Sequence, residues 1–153
     1  LKHKLFNSAL SDKIIGCAID VHRNLGPGFL EKFYEEALCL ELERKQIIFE
    51  RQVHVTMNYL GRFIGNHRLD LIVEGSVVIE IKAVKDFEKI HFATTLSYLK
   101  ASRLPVALLL NFNTPTLSIK RFANSILRLN TETLNFGDTE KTIDFLRNEG
   151  RVP

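Results

Sequence analysis

The chain has 153 residues, enough for one domain with its own core. Hydrophobic residues make up 45% and charged residues 25%, the balance of a globular protein and not of a disordered or collagen-like chain. No apolar run is long enough to span a bilayer, and the formal net charge of +3 permits contact with nucleic acid without demanding it.

The first six residues, Leu1 to Phe6, are basic but lack the apolar stretch and small-residue cleavage site of a secretory signal. Cys17 and Cys39 stand apart, in no CxxC or Cys/His cluster. They read as small buried hydrophobes in a reducing compartment, so a cytoplasmic location is expected. Ser11 and Asp12 mark a helix start, and Ile14, Ile15, Ala18, Ile19 and His22 follow at helical spacing. Leu25-Gly26-Pro27-Gly28 ends that helix. A second helix is expected from Glu31 to Lys45, with Phe33, Ala37, Leu38 and Leu40 on its apolar side. His22 reads as a packing histidine and not as a ligand.

The pattern then changes to strands. Phe49 to Asn58 is expected as a strand, Tyr59 to Arg62 as a hairpin turn, and Phe63 to Val73 as the returning strand. Glu74-Gly75-Ser76 makes another turn before a strand over Val77 to Ala83. A helix over Phe87 to Ala101 leads to the apolar run Val106 to Phe112, a strand covered on both faces. Leu117 to Phe122 is a further strand. The polar remainder, residues 124–153, carries one short helix near Glu140 to Asn148. This order predicts an α/β protein of mixed α+β type. Its mixed central sheet is flanked by helices, in one domain with its core over about 12–123.

The chemistry concentrates in Arg68 to Lys82. Strand alternation puts Val78, Glu80 and Lys82 on one face of the third strand and Val77, Ile79, Ile81 and Ala83 on the other. In the second strand, Leu69, Leu71 and Val73 should share one face, and Asp70 and Ile72 the opposite one. The tight turn makes the two strands antiparallel neighbours, so Asp70, Glu80 and Lys82 should meet among apolar residues. Two close, partly buried carboxylates repel each other and lose solvation. A divalent cation relieves both, and Mg²⁺ or Mn²⁺ favours such oxygen ligands, with the Ile81 carbonyl as one more. Lys82 would then orient water or neutralise phosphate. The same spacing also fits a structural ion network in which Lys82 simply pairs with the two acids.

A wider set of motifs surrounds this stretch. Gly28-Phe29-Leu30-Glu31-Lys32-Phe33-Tyr34 is a full GxxExxY motif, preceded by Val21 to Pro27. Downstream stand Glu50-Arg51-Gln52-Val53, Arg68-Leu69-Asp70-Leu71, Ile79 to Val84, Tyr98-Leu99-Lys100-Ala101 and Leu108 to Phe112. In order and spacing, over about Ile14 to Phe122, the chain resembles the GxxExxY proteins, a prokaryotic branch of the PD-(D/E)xK nuclease-like superfamily. The resemblance implies a restriction-endonuclease-like core. It implies Asp70 and Glu80 as metal-binding acids, Lys82 as the motif lysine, and Glu31 as a helix glutamate reaching the same metal and sharing in catalysis. On residue patterns alone, Glu31 is a helix-start acid favoured by the macrodipole, and Tyr34 a core aromatic. Tyr34, one turn beyond Glu31, and Tyr98 are candidate substrate contacts. One departure stands out: related exonucleases carry a QxxxY motif, and Thr94 occupies the glutamine position here.

These readings predict a Mg²⁺- or Mn²⁺-dependent hydrolase of DNA or RNA phosphodiesters. Arg68, Lys85, Lys89, Lys100 and Arg103 are the candidate backbone contacts. The alternative is a non-catalytic nucleic-acid-binding or partner-binding module on the same fold. A homodimer mate or a separate specificity subunit fits so small a core, and no membrane partner is expected. A purely structural ion network with an unrelated small-molecule role ranks last, since Gly26-Pro27-Gly28 matches neither GxGxxG nor GxxxxGK[ST] and no nucleophile triad is present.

Overall fold

The computed structural model describes residues 8–124. Two helices come first, α1 (Ser8–Leu25) and α2 (Glu31–Arg44). Three strands follow: β1 (Phe49–Tyr59), β2 (Arg62–Val73) and β3 (Val77–Lys82). Helix α3 (Lys89–Ser102) leads to β4 (Val106–Asn111) and β5 (Ser118–Ala123). The expected elements are all present within 8–124, with ends shifted by one to three residues. The short helix expected near Glu140 to Asn148 lies outside the described residues.

The five strands form one sheet in the order β1-β2-β3-β4-β5. β1, β2 and β3 are antiparallel neighbours, β3 and β4 are parallel, and β4 and β5 are antiparallel. The parallel pair requires a crossover, and α3 supplies it. The sheet is therefore mixed and flanked by helices, as the element order predicts.

Turn chemistry fixes the hairpins. Leu60 and Gly61 both have positive φ (50° and 73°), as do Glu74 and Gly75 (50° and 59°). Two consecutive left-handed residues make the tight turn that matches strand twist. The Glu74 carboxylate also accepts a hydrogen bond from the Ile48 amide at 2.9 Å, tying the second turn to the start of β1.

Each sheet face has its own apolar cluster. On one, Ile14, Cys17, Ala18 and Val21 of α1 and Tyr34, Leu38 and Leu42 of α2 pack on Leu71, Val73, Ile79, Leu108 and Leu110. On the other, Leu99 of α3 packs with Leu69, Ile72, Val78 and Ala107. Both cysteines are buried and unpaired, and burial pushes the Cys39 thiol up to about 11. They behave as small core hydrophobes.

Two expectations about faces need correction. Phe33 and Leu40 of α2 are about half exposed (49% and 58%), whereas Tyr34, Glu35, Leu38, Cys39 and Leu42 face inward. The inward stripe tolerates Glu35 because Arg51 of β1 neutralises it and Gln52 donates a hydrogen bond to its second oxygen. The second correction concerns β2. Leu69 and Leu71 do not share a face: Leu71 packs on the α1–α2 side and Leu69 on the α3 side. Strict alternation fails between them, at Asp70. On β1 the residue opposite in register is Gln52, which has φ 49°. Its left-handed backbone lets consecutive Arg51 and Gln52 both reach Glu35, and the faces of the β1–β2 ribbon exchange at this level.

Candidate active site

The β2–β3 ladder runs only from Val73↔Val77 to Leu71↔Ile79. Beyond it the strands part, and Asp70 fills the gap. Its carboxylate accepts a hydrogen bond from the Ile81 amide at 2.7 Å, where a ladder carbonyl would otherwise sit. The face exchange at Gln52 and Asp70 and the parting of β2 from β3 are one local event.

Across the gap, Glu80 is buried with 5% exposure. One of its oxygens accepts a hydrogen bond from the Lys82 ammonium at 2.9 Å. The other, Oε2, is buried with no hydrogen-bond partner. Leaving a buried carboxylate oxygen unpaired is costly. Burial, reinforced by the Asp70 charge, raises the Glu80 pKa to about 7. Burial also raises Asp70; the Ile81 amide opposes the rise, and the Glu35 and Lys82 charges pull in opposite directions. For Lys82, burial acts downward, but the bond to Glu80 and the charges of Glu80, Glu31 and Asp70 leave its pKa raised. Lys82 is therefore a fixed cation at neutral pH and not a proton acceptor.

Tyr98 of α3 comes to the same place. Burial first, then the Glu80 charge, raises its hydroxyl pKa, with Lys82 and Arg68 acting against the rise and Asp70 adding to it. Its ring meets His67 edge to face at 4.7 Å, and His67 Nε2 lies 3.0 Å from the Ser97 hydroxyl. The motif glutamine is Thr94, one turn earlier on α3.

Glu31 is the first residue of α2, exposed beside the end of β3, where it accepts a long 3.4 Å hydrogen bond from the Ala83 amide. Its charge acts on Asp70, Glu80 and Lys82. Among the described residues, however, no three His, Cys, Asp or Glu side chains are gathered as a metal-ligand group. The expected set of Asp70, Glu80 and Glu31 is thus one electrostatic neighbourhood and not a closed carboxylate cage, because Glu31 is turned to the backbone beyond Lys82.

Tyr34 is a correction. It is fully buried and has no surface to offer a substrate. Its hydroxyl donates to the Gly26 carbonyl at 2.6 Å and accepts from the Phe29 amide at 3.1 Å. Its ring stacks on Phe112 at 4.7 Å. Asn113 accepts a hydrogen bond from the Gly28 amide, and His22 Nε2 donates to the Thr114 carbonyl at 2.8 Å. Gly28, at φ 106°, has the backbone such a loop requires. The GxxExxY stretch is therefore a clamp that fixes the α1–α2 loop to the end of β4 and sets where Glu31 begins α2.

Arg68 is exposed, and its charge is felt at Tyr98. Lys85, Lys89, Lys100 and Arg103 are exposed as well, without an ion pair among the described residues. Three positioning residues escape sequence reasoning. Glu35 holds the β1 kink. His67 braces Tyr98. Asn111, fully buried, donates to the Val84 carbonyl at 2.8 Å and accepts from its amide at 3.1 Å, fixing the chain after Lys82. Of these only Glu35 carries a signal, since it stands four residues after Glu31 and so one turn along the same helix face.

A family model described as the PD-(D/E)XK nuclease superfamily matches residues 8–122. The chain belongs to the PD-(D/E)XK nuclease superfamily. No curated protein sequence matches it. Among solved structures it is similar to SSO0001, at 22% identity and TM-score 0.49, covering 67% of this chain and 56% of that one. It is also similar to an alkaline exonuclease from Laribacter hongkongensis, at 11% identity and TM-score 0.46, covering 78% and 71%. A putative exonuclease from Eubacterium rectale aligns at 16% identity and TM-score 0.37, covering 82% and 57%. This superfamily member thus spans little more than half the length of SSO0001.

Proposed function

We propose that this protein is a divalent-metal-dependent phosphodiesterase acting on nucleic acid. The observation that carries the reading is the buried, unpartnered Oε2 of Glu80 beside the Asp70 carboxylate. Oxygen donors of this kind suit Mg²⁺ or Mn²⁺, which need only one or two carboxylates and complete their shell with water and phosphate. Asp70 and Glu80 would hold the ion. The Ile81 carbonyl would join them, since a strand residue directs its N–H and C=O to the same edge and the Ile81 N–H already faces the gap. Glu31 would reach the ion on releasing the Ala83 amide. The ion, when bound, supplies charge stabilisation on the phosphodiester and a water of lowered pKa.

The remaining work falls to the chain. Lys82, held by Glu80 and cationic at neutral pH, orients the attacking water and neutralises a non-bridging phosphate oxygen. Tyr98, braced by His67, keeps its hydroxyl proton and donates it as a hydrogen bond to the substrate strand. The Ile81 amide keeps Asp70 in the gap. The GxxExxY branch fits the clamp role of Gly28 and Tyr34.

The test is cleavage of labelled DNA and RNA with Mn²⁺ by wild type, Glu80→Ala and Lys82→Ala. Wild-type cleavage lost in both variants, with circular dichroism unchanged, supports the reading. Equal cleavage by all three removes these residues from catalysis. The Glu80–Lys82 bond also suits a purely structural ion pair. In that case both variants shift the melting temperature and no metal response is seen.

A further inference from the structure

Helix α2 carries two apolar stripes, and only one is used by the core. Tyr34, Leu38, Cys39 and Leu42 face inward. On the outward side Leu30, Phe33, Ala37 and Leu40 recur at spacings of three, four and three, the a and d positions of a heptad. Leu30, Phe33 and Leu40 are 64%, 49% and 58% exposed. Phe29, 46% exposed, extends the patch through an edge-to-face contact with Phe33. A surface helix ordinarily needs one apolar stripe, toward its own core. Among the described residues no element covers the second.

This second stripe is complementary to itself. Two α2 helices laid antiparallel, about a two-fold axis level with Glu35, set Leu30 against Leu40 of the second copy and Phe33 against its Ala37. The two-fold repeats both layers, so four successive layers are apolar. Ala37 leaves a notch between Phe33 and Leu40 that takes the opposing phenylalanine, large on small. Charge does not oppose the pairing. Glu36 and Glu41 flank the stripe, but Arg51 holds Glu36 at 2.8 Å and Arg44 holds Glu41 at 2.9 Å. Glu43 lies past the last apolar layer.

The area suits a dimer as well. At ~200 Å² for each large side chain, the exposed parts of Phe29, Leu30, Phe33 and Leu40 offer roughly 400 Å² of apolar surface. Interfaces are about 60% apolar, so such a patch implies about 700 Å² buried per copy, within the range of specific dimers. The other exposed apolar group, at the tip of the β1–β2 ribbon, lacks this order. Tyr59 stands on the Val53 and Val55 face, whereas Phe63, paired with Asn58, stands on the opposite one.

We propose that this protein forms a two-fold dimer in which the Leu30, Phe33, Ala37 and Leu40 stripe of α2 packs antiparallel on the same stripe of a second copy. Leu30 immediately precedes Glu31, so the seam would hold the start of α2 from outside as the Tyr34 clamp holds it from inside.

The test is sedimentation equilibrium of the full chain in EDTA over about 1–100 μM. The wild type should appear at twice the 17.5 kDa chain mass. Leu30→Glu and Leu40→Lys each suit their end of the helix dipole, yet each sets a charge against leucine and should weaken association at least about tenfold. The double variant Leu30→Glu/Leu40→Lys should associate more tightly than either single one, because each new acid then faces a new lysine of the second copy. Within one chain these positions are about 15 Å apart along the helix and cannot pair, so recovery reports the antiparallel register. Leu60→Glu/Phe63→Glu at the ribbon tip should leave the dimer intact. Circular dichroism should be unchanged throughout, since every substituted side chain is exposed. The wild-type melting temperature should also rise with protein concentration, a readout that needs no variant. A monomeric wild type overturns the proposal, as does a melting temperature independent of concentration. So does a dimer that survives both single charges, a double variant no tighter than the single ones, or a dimer lost in the ribbon-tip variant.

Discussion

Glu35 and Glu80 are both glutamates buried to within a few per cent, at 8% and 5% exposure, and both lie close to Asp70. Their surroundings differ. Glu35 has both oxygens satisfied: Arg51 donates to Oε1 at 3.1 Å and Gln52 to Oε2 at 2.8 Å. Glu80 has one oxygen on Lys82 and the other without a partner, and its pKa rises to about 7. A carboxylate whose bonds are all made inside the protein is a strut. One whose second oxygen is buried without a protein partner carries a desolvation cost that packing does not offset. Burial by itself therefore does not separate structural from functional acids here; satisfaction does.

The largest expected difference between the two is in catalysis. Glu80→Gln should lower cleavage about 10²–10³-fold or more, as loss of a principal electrostatic element does, with little loss of stability. Glu35→Gln should keep most activity. Glu35→Ala should lower stability by about 1–3 kcal/mol in urea titration, because Gln52 loses its acceptor and Arg51 half of its partners. A variant of Glu80 that unfolds the protein while leaving specific activity intact would reverse the assignment.

The pH dependence of stability comes next. The Glu80 pKa is raised on folding, from an ordinary 4.5 to about 7. The folded state then binds the proton more tightly than the unfolded state. Its contribution is fully present below about pH 4.5 and is lost as pH rises through about 7. Without metal, stability should fall by on the order of 3 kcal/mol over this window, and Asp70 should act in the same direction. Glu80→Gln should flatten the slope, and Glu35→Gln should not. Millimolar Mn²⁺ should raise the melting temperature most at pH 8, where the proton no longer competes.

Smaller effects probe the kink. Gln52 sits at φ 49°, a conformation that a β-branched residue resists. Gln52→Val should cost about 1–3 kcal/mol. Gln52→Gly, which relieves the backbone but gives up the Glu35 bond, should stay within about 1 kcal/mol of wild type. If Val and Gly behave alike in thermal melts, the left-handed backbone is not what exchanges the ribbon faces. Smallest is Tyr34→Phe, which removes the clamp on Gly26 and Phe29 while keeping the ring on Phe112. It should cost about 1 kcal/mol by melting, with a modest fall in cleavage through Glu31.

The helices and strands were legible because apolar spacing and the turn residues Gly61 and Gly75 agree at every level. Asp70, Glu80 and Lys82 were legible as neighbours because a tight turn joins two alternating strands. What alternation missed was the exchange of faces at Asp70, which depends on Gln52 of another strand and on Glu35 of a helix. The inward side of α2 is hidden from the sequence for the same reason: Glu35 looks like a surface acid until Arg51 and Gln52 are brought to it. Tyr34 looks like a companion of Glu31 by helical spacing. Its partners at Gly26, Phe29 and Phe112 show that it fixes the loop before the helix instead.

The contrast between the two glutamates is tested most directly by calorimetric titration with Mn²⁺ at pH 8 of wild type, Glu80→Gln and Glu35→Gln. Binding to wild type and Glu35→Gln, and its loss in Glu80→Gln, is the predicted result. Equal affinity in Glu80→Gln, or no binding to the wild type, would contradict the assignment of Glu80 as the metal-holding acid.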